Sequence, residues 1–83
     1  MKLKYFAWVR ERIGLAEEEV DLPASVVTAG DLLDWLAARG DGYAPALRHP
    51  KAIRVAIDQE HADHGEKIAG AREIALFPPM TGG

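Results

Sequence analysis

The sequence predicts a single α+β domain in which one mixed sheet of four to five strands carries one main helix on one face. The chain has 83 residues, 48% of them hydrophobic, which allows one packed domain and no second one. Its apolar residues alternate between a period of two and a period of 3.6, as they do in mixed folds. We therefore expect the order strand, strand, helix, strand, short segment, strand.

The first predicted strand covers residues 2–9. Since Lys2 and Lys4 should face water, residues of the opposite parity should face the core, namely Leu3, Tyr5, Ala7 and Val9. Phe6 then faces outward with the lysines, and so does Trp8 if the strand extends that far. Residues 10–14 should form a short polar or helical turn.

A second strand is predicted over residues 17–22, where Val20 and Leu22 point inward and Pro23 ends the strand. The link to the first strand is short, so the two should pair antiparallel. The three glutamates of residues 17–19 indicate a solvated edge, with a functional acidic patch as the less favoured alternative.

The main helix is predicted over residues 28–39. Thr28 followed by Asp31 has the form of a capping box, and Gly40 is a plausible stop after the last turn. An apolar stripe at helical spacing should cover the sheet, and it consists of Leu32, Leu33 and Leu36. Trp35 lies beside this stripe, as expected of a residue at the edge of a core.

The second half of the chain begins with a predicted loop, residues 40–50. A clear strand over residues 52–58 follows, and residues 59–72 look irregular. The last strand covers residues 73–77, and Pro78-Pro79 ends it because proline has no N–H to donate to a sheet.

Two phenylalanines fall on the sheet face away from the helix. Parity puts Phe6 with Lys4, and it puts Phe77 with Glu73. If the first and last strands are neighbours, both rings lie on one face, where exposed apolar rings usually mark an interaction site. The alternative is that one ring folds over a sheet edge.

Composition excludes several classes of function. The net charge of −3 argues against a nucleic-acid or anionic-membrane partner and leaves room for a basic protein. The absence of cysteine excludes a disulfide framework, a thiolate zinc site and a cysteine nucleophile within the chain. We see no signal peptide and no apolar run near the ~20 residues of a spanning helix, so we expect a cytoplasmic protein.

Catalytic patterns are missing as well. The glycines form no phosphate-binding loop, no pair of carboxylates is expected to converge, and no Ser/His/Asp set can be named. His61 and His64, with Asp63 between them, could make a weak metal site, but surface histidines are favoured and we predict no metal.

The C-terminal segment is the unusual feature. Pro78-Pro79 forms a stiff stalk, Met80 and Thr81 are spacers, and Gly82-Gly83 is a tip without Cβ atoms that can thread a narrow channel. The terminal carboxylate can be activated by another enzyme as an acyl adenylate. It can then be passed on as a thioester, an isopeptide or a thiocarboxylate.

Three segments together resemble the MoaD family, the small subunits of molybdopterin synthase among the ubiquitin-like sulfur carriers: residues 4–11, 53–60 and 73–83. The resemblance implies a β-grasp domain over residues 1–79 and a flexible tail over residues 80–83. It departs from the family at Gly70–Glu73, where an acidic turn is usual, and at His61, where an apolar interface residue is common.

The resemblance implies a non-catalytic subunit that donates sulfur. An adenylyltransferase of the ubiquitin-activating type would use ATP to adenylate the carboxylate of Gly83, and a sulfur donor enzyme would convert the acyl adenylate to a thiocarboxylate. Met80, Thr81 and Gly82 thread into the large catalytic subunit, where cyclic pyranopterin monophosphate receives the sulfur for molybdenum cofactor biosynthesis. The assembly would be a heterotetramer. Residues implied in partner binding are Phe6, Phe77, His61, Pro78 and Pro79.

Three alternatives remain open from the sequence. The chain could carry sulfur for another pathway, such as thiamin thiazole formation, tRNA thiolation or cysteine synthesis. It could be a protein modifier that ends in an isopeptide bond, or a plain binding module. The aromatic-Pro-Pro stalk of Phe77-Pro78-Pro79 favours the molybdopterin synthase family over thiazole-pathway carriers.

Overall fold

The computed structural model describes residues 1–79. Its strands are β1 (Lys2–Tyr5), β2 (Glu17–Glu19), β3 (Arg54–Ile57), β4 (Glu60–Ala62) and β5 (Glu73–Phe77). Its helices are α1 (Ala7–Ile13), α2 (Ala29–Ala37) and α3 (Tyr43–Ala46), with a 3₁₀ turn at Pro50–Ala52.

The five strands form one sheet in the order β2-β1-β5-β3-β4. The central strands β1 and β5 run parallel, and the other neighbours pair antiparallel. The predicted α+β class with a mixed sheet and a main helix is thereby confirmed. Because β1 and β5 are neighbours, the first and last strands of the chain share the centre of the sheet.

One face of the sheet carries the core. The strands contribute Leu3, Tyr5, Val55, Ile74 and Leu76, all fully or almost fully buried. Helix α2 adds Ala29, Leu32, Leu33 and Leu36 to the same cluster, as its apolar stripe predicts. The helix begins at a complete capping box: the Thr28 hydroxyl accepts the Asp31 N–H at 3.1 Å and the Asp31 carboxylate accepts the Thr28 N–H at 3.1 Å.

The prediction of a strand up to residue 9 is wrong after Tyr5. The chain turns at Ala7, whose φ of 52° lies in the left-handed region, and enters α1. Val9 is buried as predicted, but from a helix. Trp8 packs against the core instead of facing outward, and the Arg12 guanidinium lies 4.5 Å from its ring centroid. The turn was not predicted because alanine, unlike glycine, gives no signal of a left-handed backbone.

The second strand is shorter than predicted and ends at Glu19, although Val20 is buried as expected. The expected solvated edge is correct for Glu17 and Glu19 and wrong for Glu18. Glu18 lies opposite Leu3, on the core side of the sheet.

The Glu18 carboxylate is held by three donors. It accepts hydrogen bonds from the hydroxyls of Tyr5 and Tyr43, each at 2.7 Å, and from the Arg39 guanidinium at 3.2 Å. Burial by itself raises the pKa of Glu18, but the two tyrosine hydrogen bonds and the Arg39 charge outweigh it and lower that pKa. This network joins β1, β2, α3 and the segment after α2.

Two elements interrupt segments predicted as irregular. Helix α3 lies inside the predicted loop of residues 40–50, and β4 begins the predicted irregular stretch of residues 59–72. Asp58 and Gln59 form the two-residue turn between β3 and β4, with φ of 49° and 72°, as a primed hairpin turn requires. The sequence lacks the glycine that usually marks such a turn.

Asp58 also fastens the start of β5. Its carboxylate accepts the backbone N–H groups of Arg72 at 2.7 Å and Glu73 at 3.0 Å. These two hydrogen bonds lower the pKa of Asp58. The last strand, β5, has the predicted bounds. Within residues 1–79, no helix is both long enough and apolar enough to cross a bilayer.

Candidate functional site: the outer face of the sheet

The face of the sheet opposite the core is not covered by a helix of the described chain, and we call it the outer face. Strand register places β5 in its middle: Ala75 lies opposite Lys4 of β1 and Ala56 of β3. The next row brings Phe77 opposite Arg54, and Ala56 lies opposite His61 of the edge strand β4. Two small residues therefore lie at the centre, with larger side chains around them.

Phe77 and His61 meet on this face. Their ring centroids are 6.4 Å apart and the ring planes are inclined at 65°, which is the edge-on arrangement that aromatic pairs prefer. The rings belong to β5 and β4, which are separated by β3. They can approach across β3 because Ala56, on the same face, has only a methyl side chain.

Phe6 extends the pairing of β1 with β5 by one residue. Its N–H donates to the Leu76 carbonyl at 3.1 Å, and its backbone is extended, with φ of −130°. The parallel register of Tyr5 with Leu76, continued by one residue, brings Phe6 beside Phe77. Phe6 is 44% exposed. We call Phe6, Phe77 and His61 the aromatic patch.

Neither phenylalanine belongs to the buried core cluster, as the parity argument predicts. Phe77 is partly buried and His61 is exposed. The roles in partner binding that we predict for these three residues and for Pro78 and Pro79 stay predictions.

Charged residues border the aromatic patch unequally. Toward β2, Lys4 pairs with Glu73 at 3.4 Å and Lys2 pairs with Glu17 at 2.9 Å. Toward β4, Arg54 is exposed, and within residues 1–79 no carboxylate lies in ion-pair distance of it. The patch thus has a neutralised side and a positive side.

The C-terminal segment leaves the sheet next to this patch. Pro78 and Pro79, both partly buried, follow β5 directly. The residues predicted to thread into a partner and to carry the sulfur lie outside the described residues: Met80, Thr81, Gly82 and Gly83. The root of that segment therefore lies at the end of the sheet that carries Phe6 and Phe77.

The two histidines considered for a metal site are engaged separately. His61 packs against Phe77, whereas Nε2 of His64 lies 2.7 Å from the Ile53 carbonyl oxygen. In the described part of the chain, no three His, Cys, Asp or Glu side chains are grouped to hold a metal ion. Lys51 and Arg54 lie beside these histidines but were not among the site residues predicted from the sequence. The available signal is that residues 42–57 contain no acidic side chain to balance their charge.

Comparison with known proteins decides the family. The model of the ThiS family matches residues 3–83. The chain belongs to the ThiS family. It is 36% identical over 83 residues to the molybdopterin synthase sulfur carrier subunit of Haemophilus influenzae and 35% identical to that of Escherichia coli, with 100% of this chain and 99% of each relative covered.

The chain is also similar to a protein that is named as a modifier. Small archaeal modifier protein 1 of Haloferax volcanii is 36% identical over 92 residues, with both chains fully covered. Its crystal structure matches this chain with a TM-score of 0.72, covering 100% of this chain and 98% of the other. These matches confirm both the resemblance to ubiquitin-like sulfur carriers and the β-grasp fold.

Proposed function

We propose that this member of the ThiS family is the sulfur carrier subunit of molybdopterin synthase. The observation that carries the proposal is the full-length similarity, at 35–36% identity, to two proteins of that name. The matched range covers the whole chain, and so spans Phe77 at the end of β5 and the Pro78-Pro79 that follow it. Residues 1–79 serve as the folded domain, and residues 80–83 serve as the tail that carries the reactive group.

The chemistry takes place at the carboxylate of Gly83. On a partner adenylyltransferase, a carboxylate oxygen attacks the α-phosphorus of ATP, pyrophosphate leaves and an acyl adenylate forms. Sulfur at the oxidation level of sulfide, supplied by a sulfur donor enzyme, attacks the acyl carbon. AMP leaves and a thiocarboxylate remains. The chain supplies the acyl group and no catalytic side chain, so it acts as the non-catalytic subunit.

The aromatic patch docks the chain on the large subunit. Phe6 and Phe77 present apolar surface next to the root of the tail, so docking there directs residues 80–83 into the partner. Buried aromatic anchors are common centres of protein interfaces. Gly82 and Gly83 lack Cβ atoms, which lets the tail enter a channel too narrow for side chains.

The test is sulfur delivery in a reconstituted synthase. Thiocarboxylated chain, the large subunit and cyclic pyranopterin monophosphate are mixed, and molybdopterin is measured. We expect deletion of Gly83 to abolish delivery, and Gly82→Val to slow it more than Gly82→Ala. Urea unfolding of the same variants should match the unmodified chain. Delivery by the Gly83 deletion would end the proposal, and equal rates for both Gly82 variants would mean that the channel is wide.

A second candidate function is protein modification, which the identity to small archaeal modifier protein 1 favours. In that case Gly83 forms an isopeptide bond with a lysine of a target protein. Since Arg72 is the last basic residue, trypsin would leave residues 73–83 on the target lysine. Mass spectrometry of cellular proteins for this branched fragment separates the two functions.

A further inference from the structure

One open depression lies beside β3 and β4, at the end of the sheet where β5 ends. Four basic or titratable side chains line it, together with one carboxylate: Lys51, Arg54, His61, His64 and Asp63. We call it the basic depression. Its two cations, Lys51 and Arg54, come from the 3₁₀ turn and from β3, and its two histidines come from β4 and the residues after it.

The cations of this depression are not balanced within the described chain. None of the ion pairs in residues 1–79 involves Lys51 or Arg54, and the nearby carboxylate of Asp63 pairs with neither. Toward the other edge of the sheet, which is formed by β2, the cations are paired with glutamates: Lys2 with Glu17, Lys4 with Glu73 and Arg39 with Glu18. The chain carries a net charge of −3, so this positive end is a local departure from the whole.

His64 adds a preorganised group. Its Nε2 lies 2.7 Å from the Ile53 carbonyl oxygen, which only accepts hydrogen bonds, so Nε2 carries a hydrogen. This hydrogen bond fixes the orientation of the imidazole ring, which lines the depression together with Lys51 and Arg54.

The basic depression is continuous with the aromatic patch. His61 belongs to both, and Arg54 lies directly opposite Phe77 in the register of β3 with β5. A protein that covers Phe77 therefore brings part of its surface against Lys51 and Arg54. Unpaired cations at the rim of an interface attract carboxylates of the partner and raise the rate of encounter.

We propose that the basic depression binds an acidic segment, with neighbouring Asp or Glu side chains, of the protein that docks on the aromatic patch. The docking itself rests on the proposed function. A run of carboxylates fits two cations that stand on separate elements of an open surface, with imidazole rings beside them. A compact phosphate group fits less well, because Asp63 lies among these cations and no glycine lines the depression to offer a backbone cradle.

The first experiment needs no partner protein. Isotope-labelled chain is titrated with an octaglutamate peptide at low ionic strength, and backbone amide shifts are followed by NMR. We expect the shifts to centre on Lys51, Arg54, His61 and His64, and to fade as salt screens the charges. The variant Lys51→Glu/Arg54→Glu should bind octaglutamate about tenfold more weakly than the unmodified chain. The control variant Lys67→Glu/Arg72→Glu has the same change in net charge, and it should lose much less affinity for the peptide.

Three outcomes would overturn the inference. Shifts centred elsewhere would show that the depression is not the acidic site. Equal loss of binding in the two double variants would mean that only net charge matters. Tighter binding of inorganic pyrophosphate than of octaglutamate, at matched ionic strength, would assign the depression to phosphate groups instead.

A second experiment separates this inference from the proposed function. Association with the large molybdopterin synthase subunit of the same organism is measured by stopped flow over a range of salt. We expect Lys51→Glu/Arg54→Glu to slow association about tenfold at low salt, with the difference disappearing at high salt. If this variant associates as fast as the unmodified chain, the inference that an acidic segment binds the basic depression is wrong, but the proposed function is not affected. If the unmodified chain forms no complex with the large subunit, the proposed function itself is wrong.

Discussion

The two faces of the sheet are formed by alternate residues of the same strands, but they differ in burial. On the inner face, Ile74 and Leu76 of β5 are fully buried in the core. On the outer face, the alternate residue Phe77 is only partly buried and packs edge-on against exposed His61. The inner face holds the buried core of this small domain, so the outer face can keep rings and charges exposed.

The two faces also differ in how their charges are satisfied. Glu18, a carboxylate on the core side of the sheet, is hydrogen bonded by Tyr5, Tyr43 and Arg39. Arg54, on the outer face, lacks such a partner within residues 1–79. A partly buried charge costs stability unless it is hydrogen bonded, whereas an exposed charge can stay without a partner at little cost.

The largest expected effect separates the faces along β5. Leu76→Ala removes a fully buried side chain and should lower the free energy of unfolding by about 2–5 kcal/mol. Phe77→Ala, its neighbour on the outer face, should cost less than the ~3–5 kcal/mol of a buried phenylalanine. Urea unfolding of both variants measures the contrast, and an equal cost would mean that the Phe77 ring is part of the core.

Phe77→Ala and Phe6→Ala should instead weaken docking. We expect each to reduce the affinity for the large subunit by about 1–3 kcal/mol, as residues at the centre of an interface do. Isothermal titration calorimetry measures the loss, and Glu11→Ala on the surface of α1 serves as the control. Normal binding by both phenylalanine variants would place the docking face elsewhere.

The Glu18 network should make an intermediate contribution, confined to the core side. Glu18→Ala leaves the Tyr5 hydroxyl without its acceptor and should cost about 1–3 kcal/mol of unfolding free energy. Because the folded-state pKa of Glu18 is lowered, its contribution is present above its unfolded pKa and is lost as the pH falls through its folded pKa.

That pH dependence gives a direct comparison. The loss of stability on acidification should be flatter in Glu18→Gln than in the unmodified chain, because glutamine does not titrate. Glu11→Gln, at an exposed position of α1, should leave the acid limb unchanged. The same slope in Glu18→Gln and the unmodified chain would show that the network does not hold Glu18 ionised.

The smallest expected effect lies at the turn after β3. Asp58→Ala removes the acceptor for the N–H groups of Arg72 and Glu73 and should lower the urea midpoint, whereas Asp58→Asn keeps an oxygen acceptor and should lower it less. Since these hydrogen bonds lower the pKa of Asp58, its contribution also disappears as the pH falls through the folded pKa. Identical midpoints for both variants would contradict this role.

The sequence predicts the elements whose signals are local. The capping box of Thr28 and Asp31 marks the start of α2, and the parity of β5 places Phe77 on the outer face. The end of helix α1 at Gly14 agrees with the helical turn expected over residues 10–14. The start of α1 and strand β4 depend on left-handed backbone at Ala7 and at Asp58-Gln59, and residues other than glycine give little sequence signal of that conformation. The partial burial of Glu18, and the lack of an ion-pair partner for Arg54 within residues 1–79, depend on which strands become neighbours, and no local pattern encodes that.

The central claim is that Gly83 carries sulfur, and intact mass spectrometry tests it most directly. The chain is incubated with the adenylyltransferase, ATP and a sulfur donor, and its mass is compared with that of a sample without ATP. We predict a gain equal to the exchange of one oxygen for one sulfur, located in the tryptic fragment of residues 73–83 and absent from the Gly83 deletion. An unchanged mass in the complete reaction, or sulfur located on another fragment, would contradict the account.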